Sequence, residues 1–214
     1  MFALNRLALA LTATLAVCGA HAAAGAKTTV VRAAAAKDTS NPVIKVLALN
    51  DFHGALESPG TYKADGAAVA VPAGGVDEIA GYIAAARAAN PNTVVVSAGD
   101  LIGASPLASA LFHDEPTIET MNRAGLDFNA VGNHEFDDGK AELKRMAQGG
   151  CHPTDTVNSC RGADVGTPVP FEGAQFKFLA ANVANAKTGD TLFKPYGIKA
   201  FKAGGKKVKV AFIG

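Results

Sequence analysis

The chain has little surplus charge of either sign. Its 20 Lys and Arg face 19 Asp and Glu, and without Arg6, the one charged residue among the first 22, the balance is even. Such neutrality gives no basis for binding a nucleic-acid polymer or an anionic membrane surface. No apolar run reaches the roughly 20 residues that a membrane-spanning helix needs. Cysteine is scarce, with Cys18, Cys151 and Cys160 alone, and their spacing fits no standard zinc finger. Residues 42–214 contain no internal repeat and no long low-complexity tract.

What stands at the N-terminus reads as an export signal. Residues 1–6 carry a small positive charge, residues 7–17 are apolar and uncharged, and Ala20-His21-Ala22 has the small-x-small form of a cleavage site. The expectation is a signal peptide over 1–22, a disordered lead-in over 23–41 rich in Ala, Lys and Thr, and an ordered region from Pro42. Val17 before Cys18 is larger than a lipidation site prefers, so a lipid anchor is the lesser alternative. The expected destination is the periplasm or the exterior, with no stable membrane association once the signal is removed. In that compartment Cys151 and Cys160, close together in a Gly-, Pro-, Asn- and Asp-rich stretch, read most simply as a disulfide. It would close a loop of about ten residues and stabilise by about 2–3 kcal/mol. The rival is a zinc site built from Cys151, His152 and Cys160.

The remaining pattern alternates strand and helix. Strands are expected over 43–50, 93–98, 127–131, 175–181, 196–202 and 206–213. Helices are expected over 76–90, 106–112, 116–123 and 139–148, with Asp137 or Asp138 capping the last. Residues 58–75 hold turn formers without a sustained period and read as an irregular loop. The chain stops at Gly214 directly after a strand that reads as buried, which suggests that the sequence is the front part of a longer protein.

The chemistry-bearing residues follow three of these strands. Asp51-Phe52-His53-Gly54, Gly99-Asp100 and Gly132-Asn133-His134-Glu135 come in that order, each after a short apolar run. In an open α/β sheet the loops at the carboxyl ends of the strands form the binding crevice. An extended Asp-x-His places both side chains on one side, where they can grip one ion. Asp100 offers two oxygens that can bridge two cations. Asn133 offers a neutral oxygen that does not repel a phosphate. His134 can act as a ligand or as a cation that stabilises transition-state charge, and Asp137 can orient its ring. Taken singly each has an ordinary reading: a turn Asp with a surface His, a Gly-Asp turn, a Gly-Asn pair at positive φ.

Together Asn50-Asp51-Phe52-His53-Gly54, Ser97-Ala98-Gly99-Asp100 and Gly132-Asn133-His134-Glu135-Phe136-Asp137-Asp138-Gly139 resemble the first three signatures of the calcineurin-like metallophosphoesterases, in the branch of exported 5′-nucleotidases and 2′,3′-cyclic-nucleotide phosphodiesterases. The resemblance covers 42–214. It implies an α/β fold, the four-layer α/β/β/α sandwich of that family. It implies two divalent metals (Zn, Mn or Fe), with Asp51 and His53 on the first, Asp100 bridging and Asn133 on the second. His134, paired with Asp137, would stabilise the phosphate in flight. A metal-bound hydroxide would release phosphate from a small nucleotide substrate. Further metal ligands and the base-stacking residues of a C-terminal domain would lie beyond Gly214, so residues 23–214 alone are expected to hold at most one tight divalent ion and to hydrolyse 5′-nucleotides negligibly. A different phosphoester or sulfur ester on the same centre, or a fold that only binds metal, are the competing expectations.

Overall fold

The structure, a computed structural model, describes residues 43–162, 168–203 and 205–214; the expected signal and lead-in lie outside the described residues. In chain order the elements are β1 (Lys45–Leu49), β2 (Gly60–Tyr62), β3 (Val71–Ala73), α1 (Val76–Ala89), β4 (Thr93–Ser97), α2 (Leu107–Ala110), α3 (Glu115–Ala124), β5 (Phe128–Ala130), a 3-10 turn (His134–Phe136), α4 (Gly139–Gln148), β6 (Lys177–Leu179), β7 (Tyr196–Ala203) and β8 (Lys206–Ile213).

β1, β4, β5 and β6 form one parallel sheet in that spatial order. β1 runs beside β4 from Lys45↔Thr93 to Leu49↔Ser97, and β5 lies between β4 and β6. Parallel neighbours need long crossovers, supplied by α1, by α2 with α3, and by α4 with the cysteine loop. Because every strand of the sheet points the same way, the loops after β1, β4 and β5 emerge along one edge.

Successive side chains of a strand face opposite sides, and here both sides are covered. Val95 and Phe178 join the helix-side core with Ile83, Ile118, Met121, Leu143, Met146 and Phe171. Their chain neighbours Val94 and Leu179 join Phe128 and Phe201 on the other side. Burial on both faces is why β4 is an unbroken apolar run. The second face is covered by the β7–β8 antiparallel hairpin, whose Val210 and Phe212 pack there. Phe212 stacks on Phe128 with ring centroids 5.1 Å apart. The layers are therefore helices, parallel sheet and antiparallel hairpin, matching the first three of the expected α/β/β/α order.

Several local features differ from expectation. Residues 58–75 contain a short hairpin, with Gly60 opposite Ala73, tied by the Ser58 hydroxyl donating to the Ala73 carbonyl at 2.7 Å. β8 is amphipathic rather than buried. Val208, Val210 and Phe212 are half-buried, whereas Lys209, Ala211 and Ile213 face solvent. The helix expected over 106–112 closes at Ala110, and His113 and Asp114 take left-handed turns at φ 55° and 58°. Asp138 stands at the start of α4 without a capping side-chain bond.

The cysteine loop is fastened twice. Cys151 and Cys160 form a disulfide with Cα atoms 5.4 Å apart, so their sulfurs are not metal ligands. Fully buried Glu115 also accepts from the Cys160 N–H at 2.9 Å and from Arg145 Nη1 at 2.7 Å. Arg145 in turn grips Glu142 through Nε and Nη2 at 2.9 and 2.6 Å. A charge-assisted network thus locks the loop to α3 and α4.

Candidate metal centre

The first loop lies against the second as a continuation of the β1–β4 pairing. The N–H groups of Asp51, His53 and Gly54 donate to the carbonyls of Gly99, Asp100 and Leu101 at 3.1, 3.0 and 3.1 Å. The segment is not the extended Asp-x-His expected from sequence. Asp51, His53 and Asp100 have φ of 51°, 46° and 51°, left-handed conformations that cost about 1–3 kcal/mol each and persist only where the surroundings fix them. The two side chains still meet, with Asp51 Oδ1 4.0 Å from His53 Nε2.

Three of the predicted residues converge. Ligand atoms of His53, Asp100 and His134 all lie within 4.8 Å of one another. His53 Nδ1 sits 2.8 Å from the Gly103 carbonyl. A carbonyl only accepts, so Nδ1 carries the proton and Nε2 keeps the lone pair a metal requires. The rings of His53 and His134 meet edge to face at 4.9 Å between centroids. Asp51 reaches this group through His53. Asn133 is exposed, at the head of the 3-10 turn, and its carbonyl accepts the Phe136 N–H at 3.1 Å.

His134 is held differently from His53. Its Nδ1 lies 2.8 Å from Asp137 Oδ2, and its backbone N–H donates to Asp100 Oδ1 at 3.0 Å. The hydrogen bond to Asp137 is the main reason its pKa rises above the ordinary histidine value. Desolvation opposes this, and the charges of Asp137, Asp100 and Glu135 add to it. The bond to Asp137 thus favours the protonated ring, a form that can donate a hydrogen bond but cannot ligate a metal. Asp137 therefore serves His134 and does not cap α4.

Two features escaped the sequence reading. Glu135 turns inward, is 2 % exposed, and accepts from the backbone of both the Asp100 loop and the His134 loop. The second is how closely those loops approach. A Cβ built on Gly99 would stand 2.7 Å from the Gly132 nitrogen. The alternation of strands signals the loops, but nothing periodic signals a buried carboxylate within one of them.

A second group, His113, Glu142 and His152, also lies within ligand distance, yet most of its ligand atoms are engaged. His152 Nδ1 accepts the Asp155 N–H at 3.1 Å, His113 Nε2 faces Asp155 Oδ2 at 3.0 Å, and Arg145 occupies both oxygens of Glu142. The two rings stack at 4.3 Å with 8° between their planes. Metals bind imidazoles in the ring plane, so parallel stacked rings do not share one ion. By contrast, the mixed carboxylate and imidazole set of Asp51, His53 and Asp100 fits a first-row divalent cation.

No protein-family profile matches the chain. The chain is 49 % identical over 169 residues to an uncharacterised protein of the pqq-V 5′ region of Acinetobacter calcoaceticus, covering 76 % of this chain and 80 % of that one. It is 36 % identical over 172 residues to the endonuclease YhcR of Bacillus subtilis, covering 80 % of this chain and 13 % of the relative. Against a probable 5′-nucleotidase of Treponema pallidum it is 37 % identical over 105 residues, 48 % of this chain and 17 % of that protein. Among solved structures, a 5′-nucleotidase precursor from Thermus thermophilus superposes with a TM-score of 0.54 at 25 % identity, covering 78 % of this chain and 27 % of that one. The chain thus spans most of the Acinetobacter protein and a small share of the others.

Proposed function

The chain belongs to the calcineurin-like phosphoesterase superfamily, in its 5′-nucleotidase branch, and on that footing we propose that it carries the front part of a two-metal centre that hydrolyses nucleotide phosphoesters. The observation that carries this is the meeting of His53, Asp100 and His134 at the carboxyl ends of adjacent parallel strands. Asp51, His53, Asp100 and Asn133 are the residues that would hold the divalent ions, with Asn133 offering a neutral oxygen that does not repel phosphate. When bound, such a pair of ions lowers the pKa of a coordinated water and offsets phosphate charge. Asp137 accepts from His134 Nδ1 and favours the doubly protonated ring, whose Nε2–H can then donate towards the phosphoryl oxygens as their charge grows. The His53 ring is fixed by the Gly103 carbonyl, so the ligand needs no reorganisation on binding.

The nucleotide is a small molecule, and the substrate side of the reading rests on the relatives that are named nucleotidases. A second reading keeps the centre and changes the ester, because the relative named an endonuclease matches four-fifths of this chain. Export by the N-terminal segment, into a compartment that keeps Cys151 paired with Cys160, completes the proposal.

The test is elemental analysis of the dialysed full-length protein together with phosphate release from AMP, from a cyclic nucleotide and from an aryl phosphate, with Zn or Mn supplied, and cleavage of single-stranded DNA run in parallel. Bound divalent metal and metal-dependent release from AMP support the proposal. Protein that takes up no metal overturns it, and DNA cleavage without AMP turnover selects the second reading.

A further inference from the structure

We propose that Glu135 is a positioning residue that bolts the Asp100 loop to the Asn133–His134 loop and holds both in their ligand-ready form before any metal arrives. The inference rests on the metal-centre reading for its consequence and on hydrogen-bond geometry for its substance. Oε2 accepts the N–H of Asp100 at 2.9 Å and of Gly132 at 2.6 Å, while Oε1 accepts the N–H of Leu101 at 2.8 Å and the Asn129 amide at 3.2 Å. An ionised carboxylate offers about four lone-pair sites, and here each is used. Glu135 therefore has no oxygen left for a metal, although it adjoins His134. Among the described residues no Lys or Arg ion pair with it is seen; converging N–H dipoles hold its charge, with the His134 ring nearby.

This placement explains how Asp100 keeps a left-handed backbone at φ 51°. Its N–H is captured from the far loop, and its own Oδ1 captures the His134 N–H in return at 3.0 Å. The exchange joins the two loops in both directions. It works only at short range, which Gly132 permits: a Cβ there would stand 2.7 Å from the Asp100 nitrogen. A neutral amide in place of the carboxylate would set an NH2 against the N–H groups of Asp100 and Gly132 in one orientation and against that of Leu101 in the other.

Glu135→Gln tests this by titrating the protein with Mn2+ under conditions where circular dichroism shows it folded. The expected loss of metal affinity is roughly 10- to 100-fold, the usual scale for a residue that orients ligands without touching the metal. Glu115→Gln, which disturbs a buried carboxylate away from these loops, is the comparison and should lower the melting temperature while leaving Mn2+ affinity unchanged. Wild-type affinity in Glu135→Gln, or equal losses in both variants, would overturn the proposal.

Should the variant not fold, hydrogen exchange on the metal-free wild-type protein decides. The amides of Asp100, Leu101 and Gly132 should exchange as slowly as those inside β4, although they sit in loops. Exchange at the rate of exposed loop amides would overturn the bolt. A wild-type protein that binds no Mn2+ would refute the proposed metal centre, and the exchange rates would still judge Glu135.

Discussion

Asp100 and His134 touch, and the proposed centre gives them different work: Asp100 would ligate metal, whereas His134, hydrogen-bonded through Nδ1 to Asp137, would donate to the phosphate. Asp100→Ala should therefore strip bound metal. His134→Ala should retain it and lower kcat by about 10²–10³-fold, the scale for losing one transition-state donor. Elemental analysis beside kinetics checks this, and equal metal loss would make His134 a ligand. The His134–Asp137 pair also has a pH signature in the metal-free protein. Its folded-state pKa is raised, so whatever the pair adds to stability is complete below the ordinary histidine value of about 6.5 and fades as pH climbs through the higher folded value. The difference in melting temperature between wild type and Asp137→Asn should accordingly be largest in mild acid and vanish in mild alkali. Both residues are largely open to solvent, which keeps the difference small. A gap that widens with rising pH would contradict the assignment.

At the scale of elements, the cysteine loop is the place where sequence and geometry agree most directly. Replacing both Cys151 and Cys160 by Ser should lower stability by about 2–3 kcal/mol, as expected for releasing a loop of about ten residues. Denaturant titration measures it, and a change below half of that would mean the Glu115–Arg145 network already holds the loop unaided. The parallel strands were legible as buried apolar runs, and α1, α3 and α4 by their apolar spacing; α4 runs over the same residues expected from sequence. The β2–β3 hairpin was not, since its paired strands are three residues each and β2 is exposed throughout, which leaves no buried face to imprint a period. β8 was misread as buried because Val208, Val210 and Phe212 alternate with Ala211 and Ile213, whose apolar side chains face solvent. The candidate metal residues were legible as types in order. Their left-handed backbone and the inward turn of Glu135 were not, because both depend on contacts between loops far apart in sequence.

At the largest scale, the described residues stack in three layers, and one side chain reaches across all of them. Asp127 lies just ahead of β5. Its Oδ2 accepts the N–H of Val95 in β4 at 2.9 Å and pairs with Arg87 of α1 at 3.3 Å. Its Oδ1 receives the ammonium of Lys199 from β7, on the opposite face of the sheet. The ion pairs are partly exposed, with the Asp127 side chain 21 % accessible, so each contributes at most about 1 kcal/mol. Val95, by contrast, is fully buried, and an orphaned N–H there costs about 1–3 kcal/mol. Asp127→Asn keeps an oxygen for that N–H and should cost about 1 kcal/mol or less, whereas Asp127→Ala orphans it and should cost about 1–3 kcal/mol. Urea unfolding should show both as shifts in midpoint with an unchanged slope. Equal losses in the two variants would mean that the charge pairs to α1 and β7, rather than the single buried N–H, hold the layers in register.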